Sequence, residues 1–145
     1  MEQTKIETSN IIVSNTKISD LSALVVDYSE HIRALLSMHL TNIGIKDIHQ
    51  AGDGLAAIEK FRQTHPSIVI TDYILPKMNG LSLIKQLRQI SPKVRVVMLT
   101  AVSSIEIVRL AKELGASHYI LKPWQVNKLS EVIYNIFNIQ PTDVK

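Results

Sequence analysis

Four polar residues in this chain each follow a short apolar, β-branched run: Asp27 after Leu24-Val25-Val26, Asp72 after Ile68-Val69-Ile70-Thr71, Thr100 after Val96-Val97-Met98-Leu99, and Lys122 after Tyr119-Ile120-Leu121. Taken singly, each has a plain structural reading. A strand-end Asp or Thr often caps the following helix, and a lone Lys is usually a surface residue with its stem laid along apolar neighbours. Taken together, they could support phosphoryl capture on a carboxylate. A carboxylate is an accepted covalent nucleophile toward phosphorus. The transferring group carries spread negative charge, which a divalent cation, an ammonium and a hydroxyl can stabilise. Asp72 has the richest context: its strand breaks into Tyr73-Ile74-Leu75-Pro76-Lys77-Met78-Asn79-Gly80, which reads as a Pro/Gly loop.

Those residues meet only if the surrounding elements place them at one edge. Between the apolar runs lie helical spacings. They are Ile32, Leu35, Leu36, Leu40 and Ile43 closed by Gly44; Leu55 to Gln63 with Ile58 and Phe61 inward and Asp53 as cap; Leu81, Ile84 and Leu87 ending before Ser91-Pro92; Ile105, Val108 and Leu110-Ala111 stopped by Gly115; and Val126, Leu129, Ile133, Ile136 and Phe137. With Ile48 and its neighbours as a further strand, five strands alternate with five helices. That pattern predicts an α/β doubly wound, five-stranded parallel sheet of flavodoxin-like order 2-1-3-4-5. In that order strands 1 and 3 are neighbours, and their carboxyl ends form the crevice where open α/β sheets bind ligands. Asp27 and Asp72 then share one crevice, with Thr100 and Lys122 on the same rim.

The chain has 145 residues, enough for one domain with a core. It has no Cys, so disulfides and thiolate metal sites are excluded. No run approaches a membrane span or the hydrophobic segment of a signal peptide, and a soluble cytoplasmic protein is expected. The net charge of +3 is spread rather than gathered with aromatics into a stripe, so no direct nucleic-acid contact is expected. Residues 1–19 read as a polar arm, 20–138 as the domain, and 139–145 as a short tail. That tail is too short for a DNA-binding or catalytic output domain, so the chain is expected to act by docking or as part of something longer. The five His show no metal-ligand spacing; His31, at the start of the first helix, reads as a surface residue. Trp124 reads as a packing residue at a helix start.

Leu21 to Phe137 resembles the receiver domain of two-component response regulators, most closely the single-domain chemotaxis type. The matching stretches are Leu24-Val25-Val26-Asp27, Ala51-Gly52-Asp53-Gly54, Thr71-Asp72 through Asn79-Gly80-Leu81, Val97-Met98-Leu99-Thr100-Ala101, and Gly115-Ala116-Ser117 through Lys122-Pro123. The resemblance implies that Asp72 is the phosphoacceptor, fed by a histidine kinase or phosphotransfer protein, and that a downstream protein target reads the result. It implies Mg²⁺ held by Asp27, Asp72 and the backbone carbonyl of Ile74. Thr100 is implied as the switch hydroxyl, Lys122 as the lysine that pairs with phosphoryl oxygens, and Lys122-Pro123 as a cis bond. Tyr119 is implied as the aromatic switch. Such a domain is a signalling module rather than an enzyme. Its usual partner face is helix 4, strand 5 and helix 5, where Arg109, Lys112, Tyr119, Lys128 and Tyr134 could project.

One position departs from the pattern. The family usually carries two adjacent acids after strand 1, and this chain has Asp27-Tyr28. A phenol is not a hard anionic ligand, so Mg²⁺ is expected to bind weakly. The alternative reading is a pseudo-receiver, a binding module indifferent to phosphate. Other enzymes on related sheets fit poorly. An aspartyl phosphatase would want an acid where Ile74 stands, a flavin binder a Ser/Thr/Gly-rich loop after strand 1, and a P-loop a Gly-Lys-Ser/Thr that is absent.

Overall fold

The computed structural model describes residues 16–140. A single 3₁₀ turn, Ile18–Asp20, leads into five repeats of strand and helix: β1 Ser22–Val26, α1 Glu30–Ile43, β2 Asp47–Ala51, α2 Gly54–Thr64, β3 Ile68–Thr71, α3 Gly80–Ile90, β4 Arg95–Thr100, α4 Ile105–Glu113, β5 His118–Leu121 and α5 Val126–Phe137. The strands form one parallel sheet in the order β2-β1-β3-β4-β5, as the alternation predicts.

The sheet is covered on both faces, which is why its central strands are near-continuous apolar runs rather than alternating ones. Side chains still alternate between faces with period two. Ala23, Val25, Ile68, Ile70, Val97, Leu99 and Ile120 pack with Leu36, Leu40 and Ile43 of α1 and Leu129, Val132 and Ile133 of α5. Leu24, Val26, Val69, Val96 and Met98 pack with Ala57 and Phe61 of α2, Leu83, Ile84 and Leu87 of α3, and Ala111 of α4.

The helix ends follow their local chemistry. Asp53 accepts the Ala56 N–H at 2.8 Å and Asn79 the Ser82 N–H at 2.9 Å, each supplying an N-cap. Gly44 ends α1 at φ 123°, a conformation that side chains rarely adopt.

Three expectations shift. Val126, assigned to the apolar pattern of α5, is 46% exposed. Ile105, assigned to the buried stripe of α4, is 86% exposed. It is the first helical residue after the Ser104 cap, and six residues at about 100° each set it about 120° around the helix from buried Ala111. The core also reaches past the sequence limits of 20–138: Ile18 and Ile139 are buried in the α1/α5 layer. The arm assigned to 1–19 otherwise lies, for residues 1–15, outside the described residues, as do 141–145 of the tail. No described helix is long and apolar enough to cross a membrane.

Candidate phosphoacceptor site

The register aligns Val26 with Ala51 and Thr71, and Thr100 with Leu121. The residues that follow therefore leave the sheet at one rim. Asp27 donates its N–H to the Ala51 carbonyl (3.2 Å) and Asp72 to the Val26 carbonyl (3.0 Å), so both carboxylates are rooted in ladder backbone. The Lys122 N–H donates to the Thr100 carbonyl at 2.9 Å, rooting the lysine in the same way.

At the centre the Lys122 ammonium donates to Asp27 Oδ2 (2.6 Å) and Asp72 Oδ2 (2.7 Å). The side chains are 17%, 4% and 12% exposed for Lys122, Asp27 and Asp72, so the trio is shielded but Asp72 is the more open acid. The remaining carboxylate oxygens accept backbone N–H groups, Asp27 Oδ1 from Ser29 (2.9 Å) and Asp72 Oδ1 from Ile74 (3.2 Å). Burial opposes the charge on Lys122, but hydrogen bonds and charges of Asp27 and Asp72 outweigh it and raise its pKa. The Asp72 loop is folded tightly against itself. Gly80 donates to the Tyr73 carbonyl at 2.7 Å, and a Cβ there would collide with the Asp72 carbonyl.

Thr100 reaches the site through its backbone. It is fully buried, and its hydroxyl accepts the Val102 N–H at 3.4 Å. Tyr119 is half-buried, and its hydroxyl donates to the Val102 carbonyl at 2.6 Å. Burial, then the charge of Asp72, raises the Tyr119 pKa. Lys122-Pro123 is cis. Exposed Tyr28 and Ile74, with Ser29, Leu75 and Pro76, line an open cleft around the two acids.

His31 is exposed on α1. Arg33 is a residue the sequence reading missed: its guanidinium donates to the carbonyls of Asp27 (2.8 Å) and Tyr28 (3.3 Å) and to Gln50 Oε1 (3.2 Å), bracing the acid loop. Its place one turn into α1 was visible, but nothing in the spacing says it turns back onto that loop.

The donor set suits a small hard cation. Mg²⁺ is commonly held by one or two carboxylates and keeps several waters, and Asp27, Asp72 and the Ile74 backbone border one open cleft. Among the described residues no three His, Cys, Asp or Glu side chains gather in a metal-binding group. Side-chain charge for a cation is thus limited to two carboxylates, which the Lys122 ammonium already half neutralises.

Comparison with known proteins agrees with this geometry. Residues 23–134 match the response regulator receiver domain family. The chemotaxis protein CheY of Bacillus subtilis is 30% identical over 115 residues, 79% of this chain and 96% of the relative. Sporulation initiation phosphotransferase F of the same organism is 29% identical over 110 residues, 76% of this chain and 88% of the relative. The CheX-CheY-BeF3-Mg+2 complex from Borrelia burgdorferi contains a chain that superposes with a TM-score of 0.78 at 27% identity, covering 81% of this chain and 89% of that one. This chain belongs to the response regulator receiver domain family of two-component systems and is similar to its chemotaxis-type members.

Proposed function

We propose that the chain accepts a phosphoryl group on Asp72 from a histidine kinase or phosphotransfer protein and signals the event through α4, β5 and α5 to a protein target in the cytoplasm. The observation that carries this reading is the Lys122 ammonium held 2.7 Å from Asp72 Oδ2 and anchored on Asp27 at 2.6 Å. A cation is already fixed beside the nucleophile, where it can neutralise the oxygens of an incoming phosphoryl group.

In the step proposed, a carboxylate oxygen of Asp72 attacks phosphorus. One P–O bond forms while the bond from phosphorus to the donor's leaving atom breaks, and the electron pair leaves with the donor. Lys122 exchanges a carboxylate contact for a phosphoryl oxygen. The Thr100 hydroxyl, whose oxygen accepts the Val102 N–H, donates its proton to another phosphoryl oxygen. Mg²⁺, when bound by Asp27, Asp72 and the Ile74 carbonyl, supplies charge neutralisation. With Tyr28 in place of an acid, that binding is weak.

The switch follows from one shared residue. Val102 accepts from Tyr119 and donates to Thr100, so movement of Thr100 toward the phosphoryl group releases the residue whose carbonyl holds the Tyr119 hydroxyl. Tyr119 lines a groove with Val108, Lys112 and His118 on the proposed output face. The domain turns over no substrate of its own and only assists its phosphorylation and dephosphorylation.

The test is incubation with acetyl phosphate and Mg²⁺ followed by intact-mass measurement, with Asp72→Asn as control. One phosphoryl adduct, lost in the variant, is expected. No adduct at any Mg²⁺ concentration would leave the phosphate-independent binding module as the better account.

A further inference from the structure

The loop that carries the site lysine is tied down by a pair of residues outside the site. After Lys122 the chain runs through Pro123 and Trp124 to α5, whose N-cap, Gln125, makes no side-chain capping bond. The backbone bonds of the segment are Lys122 N–H to Thr100 at one end and those received by the Gln125 carbonyl at the other. Between them stands one side-chain bond: the Trp124 indole Nε1–H donates to His39 Nδ1 at 3.2 Å. The two rings meet edge to face, with centroids 5.8 Å apart.

His39 sits on the third turn of α1, whose Leu36 and Leu40 are buried in the core, so it is a fixed point. Trp124 stands on the loop between β5 and α5. A cleft beside this contact is lined by Ile32, Leu35 and Ala101 together with His39, Lys122, Pro123 and Trp124. Trp124 is two residues from Lys122, so fixing the indole limits where the backbone that carries the lysine can go. Both ends of the contact are chemically specific. An indole can only donate, and His39 can accept at Nδ1 only while its proton is on Nε2.

We propose that His39, acting through the Trp124 indole, is a positioning residue for Lys122. The bond fixes the Lys122-Pro123-Trp124 loop so that the ammonium reaches Asp27 and Asp72 together. The proposal extends the reading of Asp72 as phosphoacceptor, because a lysine held between two carboxylates is useful where a phosphoryl group must be captured.

The test uses the full chain and the variants His39→Leu, His39→Asn and Trp124→Phe. Two signals need no phosphorylation. The chain has one Trp, so its indole N–H gives one resonance in a ¹H–¹⁵N spectrum, and a lysine ammonium held by two carboxylates exchanges slowly enough to be followed there. The third readout is the rate of labelling by acetyl phosphate at saturating Mg²⁺. His39→Leu and Trp124→Phe, which break the bond from opposite ends, are expected to broaden the Lys122 ammonium signal and to slow labelling by about tenfold, less than the roughly hundredfold cost of a full 1 Å misplacement. His39→Asn keeps an acceptor near the Nδ1 position and is expected to restore both. The proposal is overturned if His39→Leu shifts the indole resonance yet leaves the ammonium signal and the labelling rate at wild-type values. If the wild type takes no label, the phosphoacceptor reading fails, and the ammonium signal alone decides for or against His39.

Discussion

Replacing Tyr28 by Asp should strengthen Mg²⁺ binding by about one order of magnitude. Tyr28 lines the cleft with Asp27 and Asp72 but is 73% exposed. A new carboxylate about 5 Å from a divalent ion would gain about 1.7 kcal/mol in bulk water and about 6.6 kcal/mol at an effective dielectric near 20. The exposure places this position close to the water limit, and side-chain ordering takes back a few tenths of a kcal/mol. The net is about 1.5 kcal/mol, or roughly tenfold in Kd. The effect should shrink as salt rises, since an exposed charge is screened over about 8 Å at physiological ionic strength. Titration of Mg²⁺ into wild type, Tyr28→Asp and Tyr28→Phe, followed by calorimetry or Trp124 fluorescence, reads the change. Tyr28→Phe should match wild type, because the phenol is not a ligand. Equal affinities for wild type and Tyr28→Asp would refute the argument that a missing acid weakens the site.

Three further outcomes are expected. The phosphoryl group on Asp72 should persist well beyond seconds at neutral pH, because Ile74 and Val102, each two residues past a site residue, cannot orient an attacking water; loss within seconds, read by quenched intact mass, would contradict this. Gly80→Ala should cost about 1–3 kcal/mol in denaturant unfolding, the usual range for overpacking, because its Cβ would meet the Asp72 carbonyl and lie 2.8 Å from Tyr73 Cα; a change below 0.5 kcal/mol, the roughly neutral range for surface positions, would show that the loop gives way. Stability should fall on the alkaline side. Lys122 and Tyr119 both have pKa values raised above their ordinary 10.5 and 10.0, so what they contribute is fully present below those values and is lost as pH rises through the higher folded ones. The stability gap between wild type and Lys122→Met should accordingly narrow above about pH 10.5, and a constant gap would count against it.

Much of this was legible in the chain because it depends on near neighbours or on topology. The runs at Val25, Ile70 and Val97 read as strands since both faces of a parallel sheet are apolar, and the strand order then brought Asp27 and Asp72 together. Gly44 stops α1 and Asp53 caps α2 through contacts within one turn. What stayed hidden depends on how a side chain turns once helices have packed. Arg33 braces the Asp27 and Tyr28 carbonyls, and His39 meets Trp124 from 85 positions away; no spacing rule reaches that far. Thr100 shows the intermediate case. Its place at the rim follows from the register, while the bond its hydroxyl accepts from the Val102 N–H depends on a rotamer choice.

The central claim is that the nucleophile is Asp72 and not its neighbour Asp27. It is tested most directly by locating the acyl phosphate. The protein is incubated with acetyl phosphate and Mg²⁺, reduced with borohydride so that a phosphorylated Asp becomes homoserine, digested, and mapped by peptide mass. Homoserine at position 72, absent without the donor, is the predicted result. Homoserine at position 27, or labelling that survives Asp72→Asn unchanged, would contradict it.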